Sequence, residues 1–273
     1  MSDFTNQTVY ITGGASGIGL EVARRLAAQG AEIVVFDLRL PGDAISAIEA
    51  VRQSPSQRIA RYAVDISDRR AVLATFARAA AELRPPDVLI HSAGIAKGGE
   101  FLSMAFEDFD RTLQVNLYGT RHVCEATAPL MVKRGKGQIV LIASLAGILP
   151  AYGYTDYASS KYAVRGFAEC LRYELKARGV SVLCFCPGEV DTPMVAAERK
   201  TIHPATLALK RSGGTISVEV AVRDLLKGIR RNQALIITGA RARFLYHAHR
   251  LVPRPLWNWY TDRKVAQGLR EVA

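Results

Sequence analysis

Tyr157 and Lys161 are the first residues of this chain whose spacing could do chemistry. They stand four apart in "YASSK", with only small residues between them. A helix would bring both side chains onto one face. A free tyrosine has a pKa of about 10. A neighbouring ammonium favours the phenolate, so Lys161 is expected to lower that value. A phenol poised in this way can take a proton from an alcohol or give one to a developing alkoxide. On its own the spacing is common, and an exposed helix pair is the ordinary explanation. The surroundings argue for more. Ser144 ends an apolar run thirteen residues before Tyr157, where its hydroxyl could hold a substrate oxygen beside the phenol. Asn116, in "LQVNLYG", could hold an ordered water near Lys161 and complete a proton path.

A second group of residues points to a dinucleotide. The run "TVYIT" (8–12) leads directly into "TGGASGIG", with glycines at Gly13, Gly17 and Gly19, and a helical pattern follows. Glycines there permit a tight turn and close approach of a pyrophosphate, which the helix N-terminus would receive. A glycine triplet alone is weak evidence; its position between the first strand and first helix strengthens it. Asp37 closes the second apolar run, eighteen residues after Gly19. A carboxylate there accepts bonds from adenosine ribose hydroxyls and repels the extra phosphate of NADP. NAD is therefore the expected cofactor, with NADP possible because Arg39 stands nearby. Asp65, after the third run, could reach the adenine amino group, with Ile66 flanking the ring.

Positioning these groups requires a sheet. Apolar runs recur at 8–12, 32–36, 58–64, 87–91, 138–143, 180–185 and 234–238. Several are nearly continuous Val, Ile and Leu, as strands buried on both faces should be. Segments such as 18–30 and 68–83 show helical spacing between them. The alternation predicts an α/β fold, a doubly wound parallel sheet of about seven strands in a single domain. Two regions break the pattern. Residues 189–217 form a long connection and are expected to be a substrate lid. Residues 241–273 form a basic, aromatic extension beyond a catalytic domain placed at 1–240.

With these residues in view, the chain resembles the short-chain dehydrogenase/reductases. "TGGASGIG", Asp65, "HSAG" (91–94), Asn116, Ser144, "YASSK" and "PGEVDTP" (187–193) follow the family's order and approximate spacing over roughly residues 7–240. The resemblance implies a Rossmann-type fold, a nicotinamide cofactor and an Asn116–Ser144–Tyr157–Lys161 tetrad. It implies cofactor contacts from Gly13, Ser16, Gly17, Ile18 and Gly19, and from His91, Ala93 and Gly94. Tyr157 and Lys161 would also touch the cofactor, Lys161 through the nicotinamide ribose. Pro187, Gly188, Val190 and Thr192 would contact the nicotinamide. "HSAG" stands where "NNAG" is usual, so altered geometry is expected at His91; a second acid/base role for it is less favoured. The implied reaction is hydride transfer between the nicotinamide and a ketone or secondary alcohol. A looser similarity, through "GYTDYASSKYAVRGFAECLRYELKARGVSV" and "DTPMVAAERKTIHPAT", links the chain to 3-ketodihydrosphingosine reductases. It points to a lipophilic substrate, a long-chain keto lipid or a steroid- or retinoid-like compound, and to lipid metabolism. The alternatives are a dinucleotide-binding regulator without catalysis and a membrane-surface interaction protein.

Composition sets the remaining expectations. The net charge is +11, and residues 227–273 hold ten Lys or Arg against two acids. Both tryptophans, Trp257 and Trp259, lie in that stretch, with Phe244, Tyr246 and Tyr260. Rings among cations suit an anionic membrane surface, nucleic acid or a subunit interface. The partners expected are a lipophilic small molecule, a second copy of the chain and peripheral membrane contact through 241–273, with no nucleic acid. Cys124, Cys170, Cys184 and Cys186 form no C-x-x-C pair, so reduced, mostly buried thiols and no metal are expected. The location expected is the cytoplasm, with a peripheral place at the membrane as the variant, since no targeting segment or long apolar stretch is visible.

Overall fold

Valine, isoleucine and leucine dominate the strands because both sheet faces are covered. The computed structural model describes residues 4–271; residues 1–3 and 272–273, at the ends of the two expected spans, lie outside the described residues. The first half of the chain runs β1 (Thr8–Thr12), α1 (Gly17–Ala27), β2 (Glu32–Asp37), α2 (Gly42–Glu49), β3 (Ile59–Ala63), α3 (Arg69–Glu82), β4 (Val88–His91) and α4 (Phe106–Leu113). It continues through α5 (Gly119–Arg134), β5 (Gly137–Ile142), α6 (Thr155–Lys176), β6 (Val180–Phe185) and β7 (Glu189–Val190). Then come α7 (Pro193–Glu198), α8 (Pro204–Gly213), β8 (Thr215–Ile216), α9 (Val218–Arg230), β9 (Leu235–Ile236), α10 (Ala240–Leu251) and α11 (Arg254–Arg270).

All seven expected strands join one parallel sheet in the order β3-β2-β1-β4-β5-β6-β9. The last is shorter than the apolar run 234–238 suggests, with only Leu235 and Ile236 paired. Neighbouring side chains on β1 go to opposite faces. Val9 and Ile11 pack with Val22, Leu26, Ile48 and Leu225 beneath α1, α2 and α9. Tyr10 packs with Phe36, Phe76 and Val123 beneath α3 and α5. The chain reverses direction across the sheet between β1 and β4. In such a sheet the crevice beyond the carboxyl ends of those two strands receives the ligand.

The connection 189–217 is ordered structure. It holds α7 and α8, and its two ends pair as the short parallel strands β7 and β8. The extension folds into α10 and α11, and α11 lies along α8. Gly268 permits that approach: a Cβ there would sit 2.4 Å from the Ala205 Cα. Among the described residues no helix is long and apolar enough to cross a membrane. Cys124, Cys184 and Cys186 are buried, whereas Cys170 is exposed on α6.

Candidate active site

One cleft at the β1/β4 crossover gathers most of the singled-out residues. Its floor begins at the glycine turn. Gly13 has φ +64°, and a Cβ on it would lie 2.7 Å from the Ala93 backbone nitrogen. Only glycine fits that position without moving the backbone. Gly13, Ser16, Gly17 and Ile18 line the cleft, but Gly19 does not. Gly19 instead lets α1 settle on the turn, since a Cβ there would fall 2.1 Å from the Gly13 carbonyl oxygen. Ser16 precedes α1 in an extended conformation with no side-chain capping bond. The first N–H groups of α1, which have no partner within a helix, stand at the cleft. Thr192 comes down over this turn; its Cγ2 lies 3.4 Å from where a Gly17 Cβ would be. Gly13, Ser16, Gly17 and Thr192 thus lie on one wall of the cleft, and the free N–H groups of the turn suit the phosphates of a dinucleotide.

Asp37 lines the cleft at the end of β2 and holds the turn as well. Its carboxylate accepts from the Ala15 N–H at 3.1 Å and the Arg39 N–H at 3.3 Å. The Arg39 side chain is not part of the lining, whereas Arg111 is. Arg111 is engaged elsewhere, donating to Asp65 at 3.0 Å and to the Ser67 hydroxyl at 2.8 Å. Asp65 also accepts from the Ser67 N–H at 2.9 Å. Burial works against its charge, but the bonds from Ser67 and Arg111 outweigh it and hold the carboxyl below its ordinary pKa. Ile66 lines the cleft beside it.

Ala93 and Gly94 line the cleft, but His91 does not. The His91 ring is buried beneath them, with Nδ1 2.7 Å from the Thr12 hydroxyl and Nε2 without a partner. Burial, and then the charge of Lys161, push its pKa down to about 3, so the ring is neutral. The structure therefore gives its side chain a place behind the cleft wall and not in contact with a cofactor.

Asn116 sits in a π-helical turn, Gln114–Tyr118, between α4 and α5. Such turns often occur at functional sites. Its side chain is fully used: Oδ1 accepts from Ile95 N–H at 2.8 Å, and Nδ2 donates to Ile95 carbonyl and Ser160 hydroxyl, each at 2.9 Å. It stands behind the lining, yet a Cβ on Gly94 would meet both Asn116 Oδ1 at 3.0 Å and Lys161 Nζ at 3.4 Å. Asn116 and Lys161 are thus separated by little more than one glycine.

Ser144, Tyr157 and Lys161 all line the cleft. Ser144 follows β5 by two residues instead of ending it, and caps a 3-10 turn by accepting from the Ala146 N–H at 3.1 Å. α6 places Lys161 Nζ 5.6 Å from the centre of the Tyr157 ring. The ammonium donates to the Ile142 carbonyl at 3.1 Å. The electrostatics differ from the sequence expectation. Burial raises the Tyr157 pKa above 10, and a hydrogen bond with Ser144 and the charge of Lys210 only partly oppose it. Burial also pushes Lys161 down, to about 8. Desolvation outweighs the attraction of charges because both groups are enclosed by the same apolar walls. The counteracting cation on Tyr157 is Lys210, not Lys161.

Lys210 belongs to a cluster that sequence reading missed. It donates to Glu198 at 2.9 Å and to the Tyr154 hydroxyl at 3.0 Å, and pairs with Glu189 at 2.9 Å. Tyr154 donates to Glu198, and Arg199 pairs with Glu189. Although burial opposes its charge, bonds from Lys210, Thr215 and Arg199 hold the Glu189 pKa down to about 2. The Tyr154 ring meets Tyr157 edge-on at 5.4 Å. These residues come from β7, α7, α8 and the start of α6, so no local spacing links them. Leu245, Trp257 and Tyr260 of α10 and α11 also line the cleft. The Tyr260 and Ser212 hydroxyls bond at 2.8 Å. Pro187, Gly188 and Val190 line the cleft between Ser144 and Thr192, and the Pro187 carbonyl accepts from Leu145 N–H at 2.7 Å. Among the described residues no group of three His, Cys, Asp or Glu side chains is placed to hold a metal ion.

Comparison with known proteins gives this arrangement a family. The short chain dehydrogenase model matches residues 7–203. A probable oxidoreductase, EphD, of Mycobacterium tuberculosis (strain ATCC 25618 / H37Rv) is 35% identical over 273 residues, covering 93% of this chain and 44% of that protein. The chain thus spans less than half the length of that relative. Nodulation protein G of Rhizobium sp. (strain N33) is 32% identical over 243 residues, covering 88% of this chain and 95% of that one. The crystal structure of levodione reductase superposes with a TM-score of 0.75 at 25% identity, over 88% of this chain and 99% of that chain. The fold, the glycine turn and the match over residues 7–203 agree, and the chain belongs to the short-chain dehydrogenase family.

Proposed function

We propose that the chain is an oxidoreductase that interconverts a ketone and a secondary alcohol, prefers NAD(H) over NADP(H), and acts on a lipophilic compound. The observation that carries this reading is the convergence of Ser144, Tyr157 and Lys161 on the cleft that the glycine turn opens. A nicotinamide bound there would supply the hydride. The chain's own residues handle the proton. Tyr157 gives it to the carbonyl oxygen in reduction and takes it from the alcohol in oxidation. Ser144 donates a hydrogen bond to the same oxygen. Lys161, with a pKa of about 8, keeps most of its charge at neutral pH at 5.6 Å from the centre of the Tyr157 ring, while Lys210 supplies the cation that favours the phenolate that reduction leaves behind. Asn116 fixes the Ile95 backbone next to Lys161 through paired bonds.

The cofactor preference rests on Asp37, which lines the cleft with no free cation beside it among the described residues of the lining. The substrate class rests on the far wall. Leu149, Met194, Leu245 and Trp257 line that part of the cleft. Long-chain keto lipids and steroid-like ketones match such a wall. The deciding experiment is turnover of long-chain ketones, steroids and short polar ketones with each cofactor in turn. Long-chain or steroidal ketones with NADH should turn over best. Preference for short polar ketones would overturn the substrate class, and preference for NADPH would overturn the role given to Asp37.

A further inference from the structure

The two C-terminal helices have two different faces. Their inner face closes the cleft through Leu245, Trp257 and Tyr260, and Tyr260 is tied to α8 through Ser212. Their outer face carries large apolar side chains into water. Leu251 is 81% exposed, and Leu256 and Trp259 are each 60% exposed. Leu251 and Leu256 flank the elbow between α10 and α11, which also holds Val252, Pro253 and Pro255. Every residue from Arg250 to Leu256 is exposed. The prolines stiffen this elbow, because each fixes its own backbone torsion.

The charges around the elbow are of one sign. Residues 240–271 hold seven Lys or Arg and only Asp262 and Glu271 as acids. Arg250 and Arg254 bracket the apolar tip, and Arg263 lies over the Trp259 ring at 5.5 Å from its centre. Scattered exposed leucines need no explanation, but a rigid apolar tip ringed by arginines does. Apolar and aromatic groups enter the acyl boundary of a bilayer while arginines meet the headgroups. Each cation near an anionic surface strengthens partitioning roughly fivefold at moderate salt. A second copy of this positively charged face would meet its own charge, which disfavours self-association there.

We infer that the α10–α11 elbow is a docking surface for an anionic lipid bilayer. Leu251, Val252, Leu256 and Trp259 enter the membrane, and Arg250, Arg254 and Arg263 bind its headgroups. The helices that dock also form the apolar wall of the cleft, so docking brings that wall to the membrane surface. The surface itself does not depend on the reaction proposed above, and binding is measured without turnover.

The test is cosedimentation of the full chain with vesicles of equimolar phosphatidylcholine and phosphatidylglycerol, and with vesicles of phosphatidylcholine alone. Binding to the anionic vesicles should exceed that to the neutral ones by about tenfold or more, and should fall in high salt. The combined variant Leu251→Ser, Leu256→Ser and Trp259→Ser should lose at least about tenfold in partitioning, as should Arg250→Gln with Arg254→Gln. All five side chains are exposed, so circular dichroism of each variant should match that of the parent. Failure of the parent to sediment with anionic vesicles overturns the inference. So does undiminished sedimentation of both variants. Sedimentation velocity adds one more arm: if the parent does not bind vesicles and is a dimer that the serine variant dissociates, the face is a subunit contact and the inference falls.

Discussion

Replacing Lys161 by Met should stabilise the protein while removing turnover. Lys161 is only 6% exposed, and burial takes its pKa from the ordinary 10.5 to about 8. A base whose folded pKa lies below its unfolded one binds its proton less well when folded. Below about pH 8 folding therefore works against a buried charge, and this penalty fades as pH rises toward 10.5. The displacement corresponds to roughly 3 kcal/mol, at about 1.4 kcal/mol for each pH unit. Methionine matches the aliphatic stem but gives up the bond to the Ile142 carbonyl, a loss of about 1 kcal/mol. The variant should then be more stable by ~2 kcal/mol at neutral pH, or about 4–8 °C in Tm for a chain of this size. Thermal melts followed by circular dichroism, without added nucleotide, give the comparison at neutral pH and at steps up to about pH 10. The advantage should shrink steadily above about pH 8 and vanish before the ordinary lysine pKa is reached. A variant that melts below the parent at neutral pH would refute the reasoning. So would a difference that does not change with pH.

Tyr157→Phe should leave nucleotide affinity nearly intact and almost abolish turnover; retention of more than about a tenth of the parent rate would remove the phenol from the reaction. Asp37→Ser should weaken NAD and improve NADP in steady-state kinetics, and it retains a short acceptor for the Ala15 N–H. An unchanged preference would show that the carboxylate is occupied with the turn alone. Lys210→Met removes the cation that pulls the Tyr157 pKa downward, so the acid limb of the alcohol-oxidation profile should move to higher pH. Lys210→Arg should keep the limb near its original position. A limb that does not move in the methionine variant would mean that the charge of α8 is not felt at Tyr157.

Much of the fold is written locally. The strands are legible because a parallel sheet buried on both faces demands continuous apolar runs. β9 falls furthest short of its run, because pairing with β6 is confined to Leu235 and Ile236. The glycine turn is legible for the same kind of reason: Gly13 has a backbone conformation that side chains disfavour, and Gly19 sits where a Cβ has no room. Tyr157 and Lys161 share a helix, so spacing alone sets them side by side.

Burial and long-range assembly are not written that way. His91 lies next to residues that line the cleft, yet its ring turns inward to Thr12, because adjacent residues at a strand end face opposite ways. Lys210, Glu189, Glu198 and Tyr154 come from separate elements, and only the packing of 189–217 against the start of α6 makes them one cluster. The tail reads as a basic aromatic segment, while its role as a cleft wall depends on how α11 packs along α8. The acid strength of Tyr157 reversed direction for a related reason. Spacing reveals a neighbouring charge, but desolvation depends on every atom that the fold packs around the phenol. Local patterning sets the strands, the turn and the tyrosine–lysine pair, since each depends on neighbours along the chain. Only the assembled fold sets the pKa shifts, the Lys210 cluster and the two faces of the tail, since each depends on what distant segments enclose.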